Sequence, residues 1–380
     1  MKQLFRRWTA LCLCGVLLAA VSPLQAAEAV PEISGRSAVL LAADTGTVLY
    51  EKDSREQLPM ASTTKIMTAL LTLEEAERLG DPVVEITPEM VAVEGSSMGL
   101  LAGDRISLSG LAAGMLLASG NDAANAAALY LAGSQEEFAR RMNRRALELG
   151  MEDTHFVTPS GLDGESADGL KHCSTAYDMA LLAREALENQ GFRELCSSST
   201  LRVSFAEPEK EVVYTNHNKL LTQYEGCVGV KTGYTKEAGR CLVSAAERDG
   251  ALLIAVTLNA PDDWNDHARL LDYGFSQMKT VTLAGGDVQG KAPVVGSEKE
   301  TLCFYGQDGG TVSLPAEAAG EITRKLYGPA FLYAPVSSGQ PVGEIRWYWG
   351  GTLLGSAPLV AGENALSPGE ENTWLPVPWN

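Results

Sequence analysis

Apolar residues follow three different rhythms along this chain, and each change of rhythm marks a change of structure. Short apolar runs at residues 37–41 and 47–50 flank Asp44-Thr45-Gly46, which predicts a β-hairpin. From Ser62 to about Asn189 the spacing becomes helical, first in Ile66, Met67, Leu70, Leu71 and Leu73, then in Phe138, Met142 and Leu149, then in Met179, Leu182 and Ala186. Strand-like runs return at 228–231, 241–246 and 252–258, and a helical pattern over 265–275 follows them. Strands at both ends of a helical stretch predict one sheet assembled from distant segments, with the helices as an insert. After about Met278, runs at 279–283, 311–314, 330–333 and 344–349 lie between Gly and Pro turns and predict a small all-β domain.

The start of the chain has another character. Lys2, Arg6 and Arg7 precede an apolar run over 8–21, and Ala26-Ala27-Glu28-Ala29 supplies small residues for cleavage. The run is too short to span a bilayer comfortably, so a cleaved export signal is expected and the mature protein works outside the cytoplasm. Cys12 and Cys14 lack the small residues expected just before a lipidated cysteine and leave with the signal. At 380 residues the chain exceeds what one core usually supports. The expected division is a signal over 1–29, a catalytic domain over 30–278 and a β-rich domain and tail over 279–380.

Composition narrows the function classes. A formal charge of −18 repels polyphosphate, and no local basic patch offsets it, so no nucleic-acid partner is expected. Cys173, Cys196, Cys227, Cys241 and Cys303 are an odd set without close pairing, expected to be buried free thiols. His155, His172, His217 and His267 are scattered, so neither a metal nor another cofactor is expected.

Three short polar motifs carry the chemistry, in the order Ser62-Thr63-Thr64-Lys65, Ser119-Gly120-Asn121 and Lys231-Thr232-Gly233. Ser62 is expected in the first turn of a helix with Lys65 one turn on, so hydroxyl and amine meet. A serine hydroxyl needs a base, and a lysine serves only where burial or nearby positive charge lowers its pKa. A second Ser-x-x-Lys, Ser276 to Lys279, has no such companions and reads as surface. Ser119-Gly120-Asn121 falls between two helices, with Asp122 a candidate N-cap for the second. Lys231-Thr232-Gly233 is expected to end a strand, with Gly233 leaving room for an extended substrate.

The ordered triplet resembles the signature of penicillin-binding proteins and class A β-lactamases, S-x-x-K with S-D-N and K-T-G, with the second motif here reading Ser-Gly-Asn. Together with Ser174-Thr175-Ala176-Tyr177-Asp178-Met179-Ala180 and Gly229 to Thr235, the chain resembles the low-molecular-mass penicillin-binding proteins, the serine D-alanyl-D-alanine carboxypeptidases. The resemblance implies an α/β (α+β) penicillin-binding/β-lactamase-like catalytic domain with an antiparallel sheet and helical insert, followed by a small all-β domain. It implies Ser62 as acylated nucleophile, Lys65 as base, Ser119 as proton relay and Asn121 as an amide that holds substrate and positions Lys65. Lys231 and Thr232 would bind the substrate carboxylate, and the amides of Ser62 and Tyr234 would form an oxyanion hole. The implied partners are peptidoglycan stem peptides, with β-lactam antibiotics as covalent inhibitors. A D,D-endopeptidase, a lactamase using Glu165, and a non-catalytic wall module stay open as alternatives. Residues 368–380 lack the apolar anchor many members carry, although Trp374 and Trp379 can graze a bilayer, which leaves membrane attachment open. The net charge favours a soluble or loosely associated enzyme.

Overall fold

In the computed structural model, which describes residues 29–316 and 320–369, the first two apolar runs form the expected hairpin. Strands β1 (Ser37–Ala42) and β2 (Thr47–Lys52) pair antiparallel. β1 is buried along its whole length, because helices cover both of its faces. Val39 and Leu41 face the helical insert, and Leu40 and Ala42 face a C-terminal helix. The signal segment up to Glu28, together with Trp374 and Trp379, lies outside the described residues.

A 3-10 turn over Ala61–Thr64 runs directly into α1 (Lys65–Leu79). The insert then continues through a small hairpin, β3 (Val83–Glu85) and β4 (Arg105–Ser107), into α2 (Leu108–Leu117), α3 (Asn121–Ala132) and α4 (Gln135–Glu148). Helix α2 is apolar on every side and sits in the middle of the insert, as a helix without a polar face must. After α5 (Ala176–Glu188) and α6 (Gln190–Ser197) come a hairpin of β5 (Thr200–Phe205) and β6 (Lys210–Thr215) and a short α7 (Leu220–Gln223). The chain then returns to the main sheet as β7 (Cys227–Thr235), β8 (Gly239–Arg248) and β9 (Ala251–Leu258). The sheet order is β2-β1-β9-β8-β7 and every pairing is antiparallel, so β7 is an edge strand. Leu270 and Leu271 of α8 (Asp263–Gln277) cover the face opposite the insert.

Beyond α8 the named elements of the described residues are all strands. Strand β10 (Met278–Thr282) precedes β11 (Gln289–Val295) and β12 (Thr301–Gly306), and β13 (Thr311–Pro315) pairs back with β10. Strands β14 (Thr323–Tyr327), β15 (Leu332–Tyr333), β16 (Pro341–Trp349) and β17 (Thr352–Ala361) complete a six-stranded sheet ordered β14-β16-β17-β12-β11-β15. Ile345, Trp347 and Leu359 form one of its two small cores. Among the described residues, no helix is long and apolar enough to cross a membrane.

Four local expectations need correction. Ser62 lies in a 3-10 turn ahead of α1 rather than in its first α-helical turn. Lys231-Thr232-Gly233 does not end its strand, because β7 pairs with β8 as far as Thr235 and Gly239. Asp122 is not the N-cap of α3; Gly120 is, and the Asp122 carboxylate instead accepts the amides of Met98, Gly99 and Leu100 and the Ser97 hydroxyl. Of the five free thiols only Cys196 and Cys241 are buried, while Cys173, Cys227 and Cys303 are half-buried.

Candidate active site

The turn carrying Ser62 is held from several sides. Ala61, just before it, adopts a left-handed backbone with φ +48°. Thr63 Oγ1 donates to the Met60 carbonyl at 2.6 Å and Thr64 Oγ1 to the Ala61 carbonyl at 2.9 Å. Strand β7 packs against the turn at Gly233, where a Cβ would stand 3.1 Å from the amide nitrogens of both Ser62 and Thr63. Glycine is therefore needed for the strand to approach this closely. As an edge strand, β7 has one rim without a neighbouring strand, which suits it to bind an extended peptide.

Lys65 is fully buried beneath Ser62. Its Nζ lies 2.6 Å from Asn121 Oδ1, 2.6 Å from the Ser160 carbonyl and 3.0 Å from Ser62 Oγ. The first two partners can only accept. A neutral amine spends both its N–H bonds on them, and its lone pair then faces the Ser62 hydroxyl. Burial, reinforced by the charge of Lys231 and opposed by that of Asp122, holds Lys65 well below the usual lysine range. Geometry and charge both suit a general base at neutral pH.

A second serine–lysine pair lies across the cleft. Ser119 has φ +57°, and its Oγ accepts from Lys231 Nζ at 3.0 Å. Lys231 also donates to the Thr232 carbonyl, and burial brings it down to about 7. Asn121 is fixed at both ends, since Oδ1 accepts from Lys65 and Nδ2 donates to the Glu94 carbonyl at 2.7 Å. The amide thus orients Lys65. Ser62, Ser119, Thr232, Gly233 and Tyr234 line one cleft of about 290 Å³, and Lys65, Asn121 and Lys231 are buried behind it, joined to it through Ser62 and Ser119. All eight residues read from the sequence come together here.

The cleft also contains residues that the motifs did not announce. Arg240 of β8 donates through Nε and Nη2 to Asp263 Oδ1, at 3.0 and 2.6 Å, and lies 5.5 Å from the Trp264 ring centroid. Nη1 is not used in that pair. Arg240 pairs across the β7–β8 ladder with Tyr234, next to the third motif, a register that the local sequence did not announce. Ser96 belongs to the loop gathered by Asp122, and its carbonyl accepts the Asn121 amide at 2.7 Å. Only the Gly- and Ser-rich composition of 95–99 hinted at that loop.

A larger cavity, about 750 Å³, lies nearby but is not where the chemistry sits. It is lined by Asp163, Glu165, Lys171 and His172 among others, and Ser62 is not part of it. The backbones of Glu165 and Lys171 pair as an isolated β-bridge on that wall, and Glu165 is not among the residues lining the Ser62 cleft.

Gly161 ties this region to the turn that carries Ser62. Its φ is +84°, and a Cβ there would stand 2.0 Å from the Ala61 carbonyl oxygen. Gly161→Ala is expected to cost about 2–4 kcal/mol, through backbone strain and displacement of the Ser62 turn. Thermal unfolding together with the rate of penicillin acylation checks this. An unchanged melting temperature would contradict the close packing.

The chain was compared with known proteins. Residues 24–262 match the family described as D-alanyl-D-alanine carboxypeptidase, and residues 277–365 match the C-terminal domain of penicillin-binding protein 5. D-alanyl-D-alanine carboxypeptidase DacF of Bacillus subtilis (strain 168) is 33% identical over 345 residues, covering 88% of this chain and 86% of the relative. DacC of Escherichia coli (strain K12) is 33% identical over 358 residues, 89% and 86% of the two chains. The crystal structure of the carboxypeptidase DacD from Francisella tularensis superimposes with a TM-score of 0.61 at 27% identity, covering 89% of this chain and 95% of that one.

Proposed function

The chain belongs to the D-alanyl-D-alanine carboxypeptidase family, and we propose that its acyl-enzyme forms on Ser62. The protein is a serine carboxypeptidase, and its substrate is a peptidoglycan stem peptide ending in D-Ala-D-Ala. The observation that best supports the residue assignment is Lys65, fully buried, held below its usual pKa and with its Nζ 3.0 Å from Ser62 Oγ.

The substrate lies along the free rim of β7. Its terminal carboxylate meets Lys231, the Thr232 hydroxyl and the spare Nη1 of Arg240, and Gly233 keeps the strand close to Ser62. Ser62 Oγ attacks the carbonyl between the two D-alanines while its proton passes to Lys65. Negative charge on the carbonyl oxygen is met by the amides of Ser62 and Tyr234. The C–N bond then breaks, and D-alanine leaves as an amine, taking up the proton that Lys65 accepted, relayed through Ser119, which Lys231 holds in place. Water attacks the remaining ester and frees both Ser62 and the shortened peptide. A β-lactam follows the same first step, but its leaving group stays tethered and blocks the water. Glu165 lies on the wall of the other cavity, which supports slow turnover of the penicilloyl ester and weighs against a lactamase.

The test is incubation of the full chain with a D-Ala-D-Ala pentapeptide and with a cross-linked dimer. Release of D-alanine with the dimer left intact is expected. Cleavage of the dimer without release of D-alanine would replace this reading with the endopeptidase.

The rate should also depend on pH on both sides. Lys65 must be neutral to accept the proton, so kcat/KM rises with pH as Lys65 deprotonates. Lys231 must be charged to hold the carboxylate, so kcat/KM falls as it loses its proton, near pH 7 in the free enzyme. A bound carboxylate favours the charged form, so the falling limb of kcat lies at higher pH. Lys231→Arg should remove the falling limb below about pH 9, because arginine stays protonated there. A falling limb unmoved in that variant would assign it to another group.

We further propose that residues 1–29 direct export, that 30–278 form the catalytic unit and that 279–380 form a separate β-rich unit outside the cytoplasm. The basic start, apolar run and small residues of the first segment support export, as does a substrate found in the cell wall.

A further inference from the structure

We propose that His172 and Thr64 are positioning residues that aim the Ser62 amide at the reacting carbonyl oxygen; this rests on Ser62 being the nucleophile. His172 is buried 108 residues away from Thr64 in sequence, and the mechanism above makes no use of it. Its Nδ1 accepts the amide of Val157 at 2.9 Å and that of Thr158 at 3.3 Å. The ring proton therefore resides on Nε2, which donates to Thr64 Oγ1 at 2.8 Å. With its lone pair engaged in that way, the Thr64 hydroxyl donates its own proton to the Ala61 carbonyl at 2.9 Å. Burial, with smaller contributions from His155 and Lys65, pushes the imidazole down to about 3, so it is neutral at working pH and the direction of the chain does not reverse.

The consequence lies in the peptide bond between Ala61 and Ser62. A peptide unit is planar, and in its trans form the carbonyl and the next N–H point in opposite directions. Whatever holds the Ala61 carbonyl therefore sets the direction of the Ser62 N–H. Ala61 has φ +48°, a conformation unfavourable for a non-glycine residue that persists only where neighbours enforce it. Two neighbours do so here. The Thr64 hydroxyl pulls on the carbonyl oxygen from one side, and the Gly161 backbone packs on the other, so close that an added Cβ would stand 2.0 Å from that oxygen.

Saturation kinetics with a fluorescent penicillin separate the acylation rate constant from the preceding binding constant, and thermal unfolding monitors the fold. Thr64→Val keeps the shape and removes the hydroxyl. It should slow acylation about 10- to 100-fold, the scale of a weakened oxyanion donor, while binding changes less than about threefold. Thr64→Ser should restore acylation to within about threefold of the parent. His172→Ala should resemble Thr64→Val, His172→Gln should recover much of the rate because its amide N–H can reach Thr64, and the double variant Thr64→Val/His172→Ala should be no slower than Thr64→Val alone. Parental acylation in folded Thr64→Val or His172→Ala, equal slowing in Thr64→Ser, or losses that multiply in the double variant would each overturn the proposal. If Thr64→Val does not fold, the two His172 variants decide it by the same criteria. A parent that carries its label elsewhere than Ser62 defeats the functional reading itself, whereas a parent labelled at Ser62 with indifferent variants defeats only this inference.

Discussion

Ser62→Ala is expected to leave the protein with no covalent penicillin adduct, read as an unshifted intact mass after long incubation. The experiment discriminates because the cleft holds two serines, each 3.0 Å from a buried lysine amine. Ser119 with Lys231 is the other pair, and distance alone does not choose between them. Three features favour Ser62. It is half-buried on the cleft wall, whereas Ser119 is 5% exposed. Lys65 Nζ also meets two carbonyl-type acceptors at 2.6 Å and is held well below the usual lysine range by burial and by the charge of Lys231, whereas Lys231 is lowered by burial alone, to about 7. Ser62 also follows a left-handed residue on a tight turn, so its hydroxyl stands clear of the helix it precedes. An adduct retained in Ser62→Ala and mapped to Ser119 would reverse the assignment.

Lys65→Ala should lower the acylation rate by about 10³-fold or more at neutral pH, since the hydroxyl then has no base in contact. The effect on folding is expected to be moderate rather than absent. Removing the amine leaves Asn121 Oδ1 and the Ser160 carbonyl without their donor, and each buried orphan costs about 1–3 kcal/mol. Part of that is offset, because the parent buries an amine far from any carboxylate in contact with it. Lys65→Met keeps the volume and serves as the control, and calorimetry beside the acylation assay separates the two effects. Acylation within tenfold of the parent in a folded Lys65→Met would show that Lys231, acting through Ser119, can take the proton instead.

The motifs were legible because their internal spacing is short. Ser62 and Lys65 are three residues apart, and any helical turn, α or 3-10, brings them to one side; misjudging the kind of turn did not disturb the pairing. The hairpin of β1 and β2, the helical insert and the all-β tail were legible for a similar reason, since periodicity and turn residues act over a few positions. The end of β7 was misread because glycine and threonine at 232–233 look like a strand stop. What keeps them in the strand is the ladder to β8, which lies outside the motif.

Asp122 shows where local reading ended. An aspartate at a helix start reads as a cap, yet this one gathers the amides of a loop more than twenty residues earlier. Arg240 and His172 stand alone in the sequence, and only contacts with Asp263 and with Thr64 give them a place in the site.

By itself, then, the sequence determined which residue types are available for acyl transfer and which of them are neighbours along the chain. The tertiary structure decided the charge state on which that chemistry depends. Lys65 is suited to act as a base because burial and the nearby charge of Lys231 disfavour its charged form, and because Asn121, 56 residues on, and Ser160, 95 residues on, accept hydrogen bonds from its amine. Burial is set by every element packed around a group, and Coulomb energy by distances through space, so neither can be read from the positions adjacent to Lys65 in the chain.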